Sequence, residues 1–364
     1  MKRYLTVPAL SAALLISASL PAADTKVNGR VYSNWMMDLT DGADSFNEFT
    51  VSRAYVTVRS KLSEYTSVRI TTDLRTIDNV YDIILKYAYL DWKPAFADNY
   101  ATLRFGLQPT LYVDHMNNLW GRRYLEKTTG DLNKFLTSSD MGASVMVGLG
   151  QNSRYGVASL AVFNGTSYSE VQELNKQKDI NAFIMINPLE SNPRLKNSAF
   201  MAQYYRGTQN EAIEEVEVIS EDLLDTTTVP TNVSDWKREL ISVGGLLAYN
   251  GTIGAGFDLN FTTMGTGPAD DAVSKSAISF FGTLYMDALA ESAPLLRTLN
   301  LFGRVDMVDP DTDTDDDGKT LIIAGVECAP IKEVKASVNY RTTSFQDDSE
   351  DTESMLYLNT LVKF

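Results

Sequence analysis

The side chains in this sequence best suited to act on a solute are cations set at alternate positions of its apolar segments. Arg53, Arg59, Arg69, Arg75, Lys86, Arg104, Arg304, Lys335 and Arg341 fall opposite the apolar residues of their segments, where Asp73, Asp258 and Asp306 are the clear acids. A pore wall with surplus cations inside a low-dielectric shell focuses a positive potential and concentrates anions. Arginine suits the task because it stays charged and offers a fork of donors to carboxylate or phosphate oxygens. The competing reading is that these arginines pair with loop carboxylates and only shape the wall. A second basic group lies between Pro109 and Ser138, where Arg122, Arg123, Lys127 and Lys134 stand against Asp114, Glu126 and Asp131. A connection of that length is seldom idle. Arg122, Arg123 and Lys127 are read as bordering a constriction, with Glu126 opposing or pairing with them and Trp120 and Tyr124 packing the segment against the wall. A surface lid with its charges in water is the alternative.

Other chemistry has little material. One cysteine, Cys328, excludes an internal disulfide framework and any multi-cysteine metal site. One histidine, His115, leaves a single candidate for a catalytic base; it sits beside Asp114, with no GxSxG elbow anywhere in the chain. No enzyme activity, catalytic residue or cofactor is expected. Asp313, Asp315, Asp317 and Gly318 open like a calcium loop, but its twelfth position is Ala324 where a bidentate Glu belongs. A solvated acidic loop therefore stands beside a weak calcium or lipopolysaccharide-bridging role. Cys328 reads as a small apolar residue of a strand.

The elements that must position the cations follow from the chain's punctuation. Residues 1–23 place Lys2 and Arg3 before an apolar run from Val7 to Leu20 and then small residues, the order of a secretory signal peptide. The mature domain is 24–364. The formal net charge of -15, more negative by two once the leader is removed, argues against a nucleic-acid partner. No later run of apolar residues is long enough for a membrane helix.

From Lys26 onward the period is two. Segments near 26–38, 48–62, 64–75, 81–93, 101–108, 139–150, 153–165, 180–188, 197–207, 239–249, 251–263, 274–288, 296–307, 318–328, 332–346 and 352–364 alternate, about sixteen in all. Their length suits tilted membrane crossings, and an even number suits a barrel with both ends on one side. Short joins near 63–64, 150–152, 250–252 and 330–332 alternate with long ones at 109–138 and 208–238. The long joins carry acid, as in Glu211, Glu214, Glu215, Glu217, Glu221, Asp222, Asp225 and Asp235, and again from Asp309 to Asp317. Trp35 and Trp92 suit interfacial girdles. The chain closes on an amphipathic segment ending in Phe364.

Several stretches carry a family resemblance: FTVSRAYVTVRSKL, LRFGLQPTLYVDHMNNLWGRRYLEKT, SSDMGASVMVGL with YGVASLAVFNGTSY, and LFGRVDMVDPDTDTDDDGKTLIIAGVEC with VKASVNYRTTSF. Together they touch most of the mature chain. They resemble the bacterial outer-membrane porins, most of all the phosphate-selective porin O and P family. The resemblance implies a transmembrane antiparallel barrel of about sixteen strands, an inward-folded third outer loop, and a homotrimer in contact with outer-membrane lipid and lipopolysaccharide. Small anionic or neutral solutes would diffuse through it. Phosphate-selective members line their pore with a denser arginine ladder than this one, so phosphate is one candidate among several anions. The rival function is a non-conducting barrel that acts as an adhesin or scaffold through its acidic loops.

Overall fold

Along β12 (Lys237–Tyr249) the burial pattern inverts that of a soluble sheet. Leu240, Ser242 and Gly244 are buried, while Ile241, Val243, Leu247 and Tyr249 are exposed. On β8 (Asp179–Ile186), Asp179, Asn181 and Phe183 are buried and Ile180, Ile184 and Ile186 exposed. An apolar outer face over a largely polar inner one is stable against hydrocarbon, provided the sheet closes and leaves no unpaired edge.

It does close. The computed structural model describes residues 24–77, 80–97, 100–211, 215–219, 226–230, 233–267, 272–287, 293 and 296–364. The leader at 1–23 and the loop acids Glu214, Glu221, Asp222 and Asp225 lie outside the described residues. The first strands are β1 (Asp24–Asp38), β2 (Asn47–Lys61), β3 (Thr66–Ile77), β4 (Val80–Trp92) and β5 (Ala101–Pro109). After a long connection come β6 (Ser139–Leu149), β7 (Gly156–Phe163), β8 and β9 (Ala199–Thr208). Beyond β12 follow β13 (Ile253–Met264), β14 (Val273–Tyr285), β15 (Leu299–Asp309), β16 (Lys319–Ile331), β17 (Val334–Phe345) and β18 (Glu353–Lys363). These sixteen strands form one closed antiparallel barrel in which β1 pairs with both β2 and β18. The Gly29 N–H donates to the Phe364 carbonyl at 2.8 Å and ties the two chain ends together.

The strand number and pairing expected from the alternation are those observed. Two local details differ. The 208–238 stretch, read as an acidic loop, contains a separate hairpin of β10 (Glu215–Ile219) and β11 (Thr226–Pro230). The turn expected at 330–332 comes after Ile331, because β16 runs that far. Asp24 and Phe364 lie on one rim, where the β12–β13 and β16–β17 turns are tight but the β8–β9 and β14–β15 connections, at 187–198 and 286–298, are long; the two longest connections, after β5 and after β9, lie on the opposite rim.

One bulge changes what faces inward. Thr71 of β3 pairs with Tyr87 and Thr72 with Leu85, leaving Lys86 as the extra residue of β4. Lys86 and Tyr87 are both buried on the inner side, and Leu85 is exposed on the outer.

The 110–138 connection holds the α-helices of the described residues. It forms α1 (Leu111–Trp120) and a short α2 (Thr129–Leu132). Tyr112, Val113, Met116 and Trp120 occupy one face of α1 and are buried, while Asn118 is exposed. Gly121 ends the helix at φ 71°, a left-handed position where its missing Cβ removes the strain.

Candidate functional site: the barrel lumen

The 110–138 loop lies against one side of the barrel interior. The Tyr112 hydroxyl donates to Asp258 Oδ1 on β13 at 2.8 Å. Gly244 of β12 makes room for this approach, since a Cβ there would sit 2.8 Å from Tyr112 Oη and 2.9 Å from Met116 Sδ. Trp120 packs edge-on against Phe281 and Phe302, at ring separations of 5.5 and 6.2 Å. These rings, with Met116, Tyr124 and Ile323, form a buried apolar cluster inside the barrel.

Polar anchors complete the attachment. Arg122 donates to Thr283 Oγ1 at 2.7 Å and to Glu327 at 3.4 Å. The Tyr124 hydroxyl donates to Glu327 at 2.8 Å, Asn300 donates to it at 3.1 Å, and Lys335 approaches at 3.3 Å. Burial, with Glu327 alongside, raises the Tyr124 pKa, so the phenol stays a donor. Arg341 reaches Glu126 at 3.1 Å and the Leu125 carbonyl at 3.0 Å. Arg304 grips Asp306 through two donors and gives a third to the Lys127 carbonyl at 2.6 Å. Each buried charge here has a partner, and removing one partner would strand the other in a low-dielectric interior.

The opposite side stays open. Between α1 and the wall of β1 to β4 lies a cavity of about 490 Å³ bordered by Arg30, Arg59, Arg69, Lys86, Arg123 and Lys363, with Asp114 of α1 as its acid. None of these six cations has an ion-pair partner among the described residues. Lys86 Nζ donates to Ser138 Oγ at 2.8 Å. The Arg69 guanidinium lies 4.4 Å from the centre of the Tyr87 ring, its Nε bonded to Thr71 Oγ1 at 3.0 Å. A second, smaller cavity nearer the terminal rim shares Arg59 and Arg69 with the first and is lined by Lys26 and Lys61 together with the acids Asp24 and Asp91, Lys26 standing 3.9 Å from Asp24.

The side chains singled out in the sequence thus divide. Arg59, Arg69, Lys86 and Arg123 gather at the open cavity. Arg75 lies outside its lining, with a buried Nε that has no hydrogen-bond partner. Arg53 is paired with Asp73 at 3.0 Å, and Arg104 with Asp91 through bonds of 2.7 and 2.9 Å. Arg122, Glu126, Arg304, Lys335 and Arg341 belong to the anchors, and Lys127 stands 3.9 Å from Asp131. Sequence reasoning missed Arg30 and Lys363, which share the inward parity of Tyr32 and Leu361. It also missed Glu327, whose signal was a lone acid in the otherwise apolar run of β16.

His115 stacks on Phe183 at 5.4 Å, and burial lowers its pKa, so it stands neutral at neutral pH. Among the described residues no group of three or more His, Cys, Asp or Glu is arranged to hold a metal ion, Asp313, Asp315 and Asp317 included. Asp311 instead organises their loop, accepting from the Asp313 N–H at 3.2 Å and the Thr314 hydroxyl at 2.9 Å.

No protein-family model and no curated protein matches this chain. Solved structures do. The chain is similar to outer-membrane-expressed OmpT of Vibrio cholerae, with a TM-score of 0.62 and 13% identity over 95% of this chain and 99% of that one. It is similar to the outer-membrane channel DcaP of Acinetobacter baumannii, with a TM-score of 0.62 and 11% identity over 94% and 98%. It is also similar to an anion-selective porin from Comamonas acidovorans, with a TM-score of 0.64 and 11% identity over 94% and 100%. At these identities the likeness is one of fold: a complete porin-type barrel.

Proposed function

We propose that this protein is an outer-membrane diffusion channel that favours small anions, with inorganic phosphate among the candidates. In this reading it is exported by its leader, assembles as a homotrimer, and turns its two longest connections outward and its terminal rim to the periplasm. The observation that carries the proposal is the uneven pairing of charge. Where the 110–138 loop fills the lumen, cations are matched to acids; where the lumen is open, Arg30, Arg59, Arg69, Lys86, Arg123 and Lys363 are unmatched. Unpaired cations in a low-dielectric wall hold a positive potential along the path a solute takes.

The antiparallel register sets these charges in steps. Lys86 lies in mid-strand, Arg59 and Arg69 lie closer to the terminal rim, and in the second cavity Lys26 and Lys61 share the lining with Asp24 and Asp91. An anion descending the wall is passed between guanidinium forks and ammonium groups as far as Arg59 and Arg69. The Comamonas barrel is described as anion-selective, which makes such a function compatible with this fold. The test is reconstitution of the purified protein in a planar bilayer under a KCl gradient. Stepwise conductance with a reversal potential displaced toward chloride is expected. Stable insertion with no conductance would favour the scaffold reading.

A further inference from the structure

Lys86 is covered from a direction the cavity does not account for. Its ammonium lies 3.9 Å from the centre of the Tyr168 ring, yet Tyr168 is not part of the cavity lining. The ring comes from the β7–β8 connection, several strands around the barrel from β4. The Arg75 guanidinium lies 5.7 Å from the same ring. A single loop tyrosine therefore faces two cations that have no carboxylate partner.

The loop is built to aim it. Asp140, fully buried on β6, accepts from the Gly165 N–H at 2.9 Å and from the Thr166 hydroxyl at 3.3 Å. Gly165 has φ +84°, and a Cβ there would meet the Asp179 carboxylate at 2.6 Å, so only glycine lets the stem pass this close to β8. Just before Tyr168, the Ser167 hydroxyl reaches past it to accept from the N–H groups of Ser169 and Glu170, at 3.2 and 3.1 Å. Tyr168 is thus held between two fixed points. A π-face attracts an ammonium as an anion would, but it adds no negative charge to the channel.

We infer that Tyr168 is a specificity-determining lid on the loop side of the basic cavity: its ring covers the Lys86 ammonium on the side away from the cavity lining, and an anion approaching from the loops reaches that charge from their side only by displacing it. The inference rests on the anion-channel reading for its purpose but not for its test. The first arm acylates lysines with a negatively charged succinimidyl ester added to the purified protein in detergent, with Lys86 modification read by peptide mass spectrometry. Tyr168→Ala is expected to raise the Lys86 rate by about five- to tenfold, and Tyr168→Phe, which keeps the ring, to leave it at the wild-type level. Equal rates in all three proteins would overturn the inference whether or not the barrel conducts. The second arm measures anion-over-cation permeability for Tyr168→Ala, Lys86→Met and the double variant. Tyr168→Ala should increase the ratio in the wild-type background and lose that effect when Lys86 is replaced. An equal increase in both backgrounds would make Tyr168 a steric obstacle and overturn its link to Lys86, whereas a cation-selective wild type would contradict the anion reading and leave the first arm standing.

Discussion

Arg59 and Arg69 face each other as cross-strand partners on β2 and β3, and neither has an acidic partner within ion-pair distance. Like charges directly opposite on a sheet are unfavourable, by about 0.2–1 kcal/mol in ordinary pairs. The same wall shows that pairing was available, since Arg53 of β2 meets Asp73 of β3 a few positions away. The unmatched pair sits where the two cavities join, so its cost falls where a passing anion would relieve it.

Replacing either member with glutamine should therefore leave the fold as stable as before or slightly more so. Urea unfolding of Arg59→Gln and Arg69→Gln, followed by the gel shift between folded and unfolded barrel, should give midpoints at or just above wild type. A clear loss of stability would show that these arginines hold the wall together.

Glu327 should behave in the opposite way. It is buried, and it gathers Arg122, Tyr124, Asn300 and Lys335. Glu327→Gln removes a charge that two cations depend on, and losing one side of a buried pair costs about 3–5 kcal/mol. The 110–138 loop should loosen from β16, with a lower unfolding midpoint and larger, noisier single-channel steps.

Gly244→Val tests the other end of the same attachment. With a Cβ 2.8 Å from Tyr112 Oη and 2.9 Å from Met116 Sδ, the ends of these two side chains must shift away from β12. Overpacking of this kind costs about 1–3 kcal/mol. The bond from Tyr112 to Asp258 should be lost with it, and Tyr112→Phe in the same background should then add little further destabilisation.

His115 gives a pH dependence whose sign follows from its burial. Its pKa in the folded barrel is below the ordinary 6.5, so between pH 6.5 and the folded value the unfolded chain binds a proton that the native one refuses. This contribution to stability is present above pH 6.5 and is lost as pH falls. His115→Phe, which keeps the stack on Phe183, should flatten that part of the stability profile and leave selectivity at pH 7 unchanged.

The barrel was legible because alternation and turn spacing reported the same topology, and the two longest connections, after β5 and β9, agreed with it. The lumen was only half legible. Alternation placed Arg59 and Arg69 on the inner face, but it cannot show which inward cations find an acid. That depends on how the 110–138 loop crosses the interior, which brings Arg122 to Glu327 and leaves its neighbour Arg123 at the cavity. Strict alternation would also set Lys86 and Tyr87 on opposite faces, and a single bulge turns both inward. Tyr168 had no periodic signal, because its position is set by the Asp140 and Ser167 hydrogen bonds of a loop.

The central claim is that the unpaired cations of the open wall set ion preference, and one comparison tests it directly. Reversal potentials under the same KCl gradient should be measured for the wild type and for Arg59→Gln/Arg69→Gln. The wild type should prefer chloride, and the double variant should conduct with a reversal potential moved clearly toward potassium. An unchanged reversal potential in a folded, conducting double variant, or a wild type already selective for potassium, would contradict the account.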